Sequence, residues 1–133
     1  MATVNVFNYN VPVESSFGYS QAIKSGDLIH VSGQLSFGEA GEFLYAGDAA
    51  TQLKQTHACM DKVLDHYGAT RNQIVSQTLY VVNLRQNFEV TARGNVNYFG
   101  DHRPVSTIVG VTELGFPDQV IEISFIIDTK LPV

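Results

Sequence analysis

The chain has 133 residues, of which 44% are hydrophobic and 16% charged, with a formal net charge of −5 and a pI near 5.2. That is core enough for one domain, residues 1–133, and an acidic chain without a run of Lys or Arg excludes the clustered cations that a phosphate backbone demands. Its single cysteine, Cys59, cannot close an intramolecular disulfide. No basic stretch precedes an apolar run at the N-terminus, and no segment reaches membrane-spanning length, so a soluble cytoplasmic protein is expected, with no nucleic-acid or membrane partner.

Ala2–Asn8 alternates well enough for a short first strand, which Val11-Pro12 ends. Pro12 to Phe17 is polar and turn-like, Tyr19–Lys24 is a candidate strand, and Ser25-Gly26-Asp27 is a turn. Leu28–Leu35 sets Ile29, Val31 and Leu35 against Leu28, His30, Ser32 and Gln34, a strand with one apolar face. The glycine-rich segment from Phe37 to Gly47 reads as the most mobile loop. Asp48 caps the clearest helix, in which Leu53, Met60, Val63, Leu64 and Tyr67 recur at helical spacing. Gly68 stops it, with His66 in the last turn. Ile74–Val82 is a β-branched strand. Asn87 caps a weaker second helix running to about Phe99, diluted by Gly94 and several asparagines and closed by Gly100-Asp101.

Val105–Thr112 and Gln119–Asp128 read as two strands of an antiparallel hairpin, joined through Gly115, Pro117 and Asp118. In the second, Ile121, Ile123, Phe125 and Ile127 form a wholly apolar face, which turns Glu122 to the other side. In the first, Thr107, Val109 and Val111 form the apolar set, with Ser106, Ile108 and Gly110 opposite. Joining the two apolar faces predicts that Ser106 and Glu122 look out from the same side of the sheet. The order β-β-β-α-β-α-β-β then gives an α+β layering, a mixed sheet with both helices on one face. The uncovered face, from Leu28 and His30 through Thr78 and Tyr80 to Ser106 and Glu122, is too apolar for water and too polar for a core. Such a face fits the inside of a symmetric oligomer with polar clefts between subunits.

A carboxylate on that half-apolar face requires a reason. Glu122 either positions and deprotonates a water, with desolvation raising its pKa, or serves as an interface ion pair. Tyr19 either hydrogen-bonds a ligand or packs with its hydroxyl satisfied. Ser106 and Thr107 have no neighbouring His–Asp arrangement to make either a nucleophile. Arg103, three residues before Ser106, has a long reach but also suits a solvated turn, and Arg93 on the second helix stands in the same position. His30, His57, His66 and His102 lack any ligand spacing, so no metal site and no cofactor are expected. Cys59 sits on the first helix between Ala58 and Met60 with no obvious activating cation and reads as a small structural residue.

Phe17-Gly18-Tyr19-Ser20-Gln21-Ala22-Ile23, followed by Leu28-Ile29-His30-Val31-Ser32-Gly33-Gln34, resembles the GPYSQA and VSGQ motifs of the Rid family, the YjgF-like reactive intermediate deaminases. Ala58 to Leu84 is similar to that family's helix–AGA–strand unit, and His102 to Asp128 resembles its RPARSTVGV…VEIEAIA signature. The likeness runs over nearly the whole chain in the right order. It implies a chorismate-mutase-like α+β subunit, assembled as a homotrimer with small-molecule pockets at the subunit interfaces. It also implies hydrolysis of reactive enamines and imines, such as 2-aminoacrylate, to a 2-keto acid and ammonia.

Carried over by motif, Tyr19 matches a pocket tyrosine, Ser32-Gly33 a backbone element of the pocket, and Glu122 a glutamate that holds a water. The arginine that grips the substrate carboxylate does not carry over. Aligning Arg103-Pro104-Val105-Ser106-Thr107 on RPARS puts Ser106 in its place, and an asparagine common in the second helix falls on Ala92. A hydroxyl cannot replace the charge of a bidentate guanidinium. The resemblance therefore implies an arginine-lacking member whose substrate differs from 2-aminoacrylate, with Ser106, Thr107 and Arg103 as candidate substrate contacts. A trimer that binds a metabolite without chemistry is the alternative. Ribonuclease or translation-inhibitor activity, often attributed to the family, is disfavoured by the acidic charge and by the lack of a His-pair or His–Lys constellation.

Overall fold

The computed structural model of the chain describes residues 5–133. Its strands are β1 (Asn5–Phe7), β2 (Ala22–Ser25), β3 (Leu28–Gln34), β4 (Ile74–Val82), β5 (Val105–Val111) and β6 (Ile121–Asp128), with helices α1 (Ala49–Tyr67) and α2 (Leu84–Phe99). They form one six-stranded sheet in the order β1-β2-β3-β6-β4-β5. The start of the Ala2–Asn8 strand lies outside the described residues, and Pro12–Phe17 becomes a short helical turn over Glu14–Gly18.

The strand β6 sits at the centre because one of its faces is apolar throughout. Ile121, Ile123, Phe125 and Ile127 are buried, and antiparallel β3 and β4 flank it on both sides. This overturns the predicted hairpin. β5 does not pair with β6; it is the edge strand, parallel to β4, and α2 makes the crossover between them. Two strands consecutive in sequence separate because β6 buries more apolar surface between two partners than at an edge, whereas β5 is exposed along most of its length.

The register also reverses the predicted faces of β5. Gln77, Leu79 and Val81 face the helices and pair with Ser106, Ile108 and Gly110, so those three point toward the helical layer. Val105, Thr107 and Val109 pair with Ser76, Thr78 and Tyr80 on the other side. Gly110 packs closely in this arrangement: a Cβ there would stand 3.2 Å from the Leu84 Cβ.

In α1 the capping reads as expected. Asp48 accepts from the Thr51 N–H and hydroxyl at 3.1 and 2.8 Å, and Gly68 ends the helix at φ 64°. The helix α2 starts earlier than the Asn87 cap predicts: left-handed Asn83 turns the chain, and Asn87 lies in the second turn with its amide donating to the Val82 carbonyl at 2.8 Å. Both helices cover one face of the sheet. The segment from Phe37 to Gly47, expected to be a mobile loop, carries a bridge between Phe37 and Phe43, whose ring stacks on Phe116 at 5.2 Å. Leu35, Phe37 and Cys59 form a second small core beneath it.

The face opposite the helices is open. One row of directly paired residues crosses all six strands: Val6, Ile23, His30, Ile126, Ser76 and Val105. Val6, Ile23 and Val105 in that row are 44%, 39% and 70% exposed.

Candidate active site

Glu122 projects from β6 onto the open face, directly across from Tyr80. Next to it, the pairing of β3 with β6 passes from Val31↔Phe125 to Gln34↔Ile123, so Ser32 and Gly33 together oppose a single residue. This bulge bends the strand and takes one residue out of the ladder. The Glu122 side chain lies across Gly33, where an added Cβ would fall 2.8 Å from the carboxyl carbon and strike the carboxylate. Gly33 is therefore small because Glu122 occupies the space above it. Ser32 fixes the bulge from behind: its N–H donates to the Gln21 carbonyl at 2.8 Å and its hydroxyl to the Ser20 carbonyl at 2.6 Å.

Gln119 holds the carboxylate from the other side. Its amide donates to Glu122 Oε1 at 3.3 Å and to the Ile121 carbonyl at 3.2 Å, and its own Oε1 accepts from the Phe116 N–H at 3.2 Å. Burial pushes the Glu122 pKa above the ordinary carboxylate range, and the Gln119 hydrogen bond pulls it partly back. No cation is paired with it among the described residues.

Tyr19 follows the Glu14–Gly18 turn, which Glu14 anchors by accepting from the N–H groups of Tyr9 at 2.8 Å and Val11 at 3.0 Å. The Tyr19 hydroxyl accepts from the Gln21 amide at 3.0 Å, and its own O–H donates to no group among the described residues. Gln21 in turn accepts from buried Gln34 at 3.0 Å, so amides inside the sheet fix the phenol from below. Burial raises the Tyr19 pKa, Gln21 lowers it, and the negative charges of Glu14 and Glu122 raise it further. Ser32 bonds to the carbonyls of Ser20 and Gln21, next to Tyr19, and Gly33 lies under Glu122, so the bulge stands between the two predicted catalytic residues.

The remaining predicted residues separate. Ser106 points toward the helices, opposite Glu122, and corrects the shared face expected for them. Its hydroxyl accepts from the buried Gln77 amide at 2.9 Å and donates to the Pro104 carbonyl at 3.1 Å. Thr107 does lie on the open face, level with Thr78, one step along from the Tyr80–Glu122 pair. Arg103 donates to the Gly100 carbonyl at 2.6 Å across the turn from α2 to β5. Arg93 stands on the outer side of the helical layer. His30 is on the open face beside Ile126, while His57 stacks on Tyr98, His66 lies against Phe7, and His102 sits 2.7 Å from the Ile74 carbonyl. Cys59 is buried, with its thiol pKa raised by burial, as expected of a structural thiol.

Two members of the site escaped the sequence reading. Tyr80 was on the uncovered face by alternation, but its pairing with Glu122 needed the strand order. Gln119 was read as the first residue of the strand Gln119–Asp128, but it lies just before β6, and alternation gave no sign that its side chain reaches Glu122.

Residues 10–128 match the family model described as Endoribonuclease L-PSP. A RutC family protein of Pyrococcus abyssi is 35% identical over 97 residues, covering 72% of this chain and 75% of that protein. The 2-iminobutanoate/2-iminopropanoate deaminase of Dermatophagoides farinae is 25% identical over 96 residues, covering 72% of this chain and 74% of the mite protein. Among solved structures, a Mycobacterium tuberculosis member of the YjgF/YER057c/UK114 family superposes with a TM-score of 0.83 at 26% identity, covering 95% of this chain and 99% of that one.

Proposed function

The chain belongs to the YjgF-like Rid family, and on that premise we propose that it hydrolyses a small reactive imine, enamine or related C–N compound. The observation that carries the proposal is Glu122: a carboxylate with no cation paired to it among the described residues, desolvated and seated over a glycine bulge on the open face of the sheet. A base with a raised pKa is better matched to taking a proton from water near neutrality. In the reaction proposed here, Glu122 removes a proton from a water as its oxygen attacks the C=N carbon, and the nitrogen gains a proton. The resulting carbinolamine then breaks its C–N bond, releasing ammonia and leaving a carbonyl. Tyr19, whose O–H has no acceptor among the described residues, donates to the substrate and fixes its orientation.

The pockets in this reading lie between the subunits of a homotrimer. The exposed side chains of Val6, Ile23 and Val105 on the open face support association, since a neighbouring subunit would take them out of water. The opposite orientations of Ser106 and Glu122 support pockets between chains. A pocket using both takes Glu122 from one subunit and the β5 edge from its neighbour.

The substrate proposed is one without a simple amino-acid carboxylate. Ser106 offers only a hydroxyl already bonded to Gln77, and Arg103 is engaged with Gly100. The test is ammonia release from freshly generated 2-iminopropanoate and from uncharged imines, by the protein and its Ser106→Arg variant. The expected result is turnover of uncharged imines by the native chain and a gain on 2-iminopropanoate in the variant. Saturable binding of the imines without ammonia release would move the assignment to a metabolite-binding trimer.

A further inference from the structure

A second concave site lies on the helical layer, with the sheet between it and Glu122. The helices α1 and α2 enclose a groove of about 590 Å³. Its floor is apolar, with buried Leu53 and half-buried Val90 lining it. Gly94 lets the two helices touch along this floor: a Cβ there would strike the Leu53 side chain. His57 closes the floor with only 6% of its surface exposed, and its Nε2 has no hydrogen-bond partner among the described residues. Burial holds this ring neutral by lowering its pKa to about 4.

The walls are charged, and the charges do not cancel. Asp61, the one carboxylate lining the groove, is committed to Arg71 at 2.8 Å and to the Tyr98 hydroxyl at 2.7 Å. Lys54 from α1 and Arg93 from α2 have no ion-pair partner among the described residues. Two free cations from facing helices thus overlook an apolar floor in a chain whose net charge is −5.

We propose that this groove binds a small organic carboxylate, with its apolar body on Leu53 and Val90 and its carboxylate between Lys54 and Arg93. A guanidinium fork matches the planar carboxylate, and the groove volume falls within the range of about 300–1,000 Å³ usual for small-molecule sites. The site is separate from the reaction proposed for Glu122, and its occupancy does not require that reaction.

The test titrates hexanoate, with hexanamide and hexylamine as charge controls, and follows amide chemical shifts by NMR. Hexanoate is expected to give saturable shifts along 50–61 and 90–98. Hexanamide should bind more weakly and hexylamine should not saturate there. The exposed pair Lys54→Gln and Arg93→Gln should weaken hexanoate about tenfold, and the charge-reversed pair Lys54→Glu and Arg93→Glu more, with melting curves verifying that both variants fold. Equal binding of hexylamine and hexanoate would overturn the proposal. So would native affinity in the charge variants, or saturable hexanoate shifts confined to the open sheet face.

Discussion

Glu122 and Gly33 occupy one volume, and that makes Gly33→Ala the most informative single change in the site. Gly33 is not among the residues held at positive φ, so alanine fits its backbone. The new methyl can be accommodated only by moving the Glu122 side chain from its Cγ outward, which carries the carboxylate away. The variant is expected to fold with a melting temperature near that of the native chain while imine hydrolysis falls by about a hundredfold, the lower range for loss of a placed general base. Native turnover in Gly33→Ala would separate Glu122 from the chemistry. At this scale the sequence was legible where alternation alone decides: it placed Glu122 on the open face and against an apolar setting. It misled at Ser106, because the face of an edge residue depends on its partner strand, and the assumed partner was the wrong one.

The helix α1, the strand β4 and the caps Asp48 and Gly68 could be read from local signals, because each is set by periodicity and by the chemistry of its own ends, whereas the start of α2 was misplaced because left-handed Asn83, not Asn87, turns the chain into it. The place of β5 could not. Its alternation is compatible with either face, and only the crossover through α2 and the centrality of β6 settle the parallel register. That register gives a stability prediction opposite to the hairpin's. Gly110 faces Leu84, so Gly110→Val is expected to cost about 1–3 kcal/mol through overpacking, measured by chemical denaturation. An unchanged midpoint would mean that Gly110 faces away from the helices.

For the whole molecule, the acid side of the stability curve is expected to carry the mark of His57. Its folded pKa of about 4 lies below its ordinary 6.5, so the unfolded chain takes up the proton first. The contribution is present in full above 6.5 and is lost as pH falls from 6.5 toward 4, about 3 kcal/mol in all. Glu122 acts in the opposite sense: its folded pKa is raised, so its contribution is greatest at low pH and is lost as pH rises through the raised value. The difference between the native chain and His57→Phe isolates the histidine. The variant is expected to lose less stability on acidification, and parallel curves would show that His57 is already solvated when folded. The open sheet face is the other whole-molecule feature. Its composition was visible in the sequence, whereas the continuous row from Val6 to Val105 became visible only with the strand order.

The most direct measurement is the pH dependence of ammonia release from an uncharged imine, for the native protein and Glu122→Gln. The rate is predicted to rise with pH along an acid limb displaced above the ordinary carboxylate range, as burial of Glu122 requires. In Glu122→Gln the rate is predicted to fall about a hundredfold or more, and the limb to disappear. Release of ammonia by Glu122→Gln at the native rate and with the native pH profile would contradict the assignment of this carboxylate as the base.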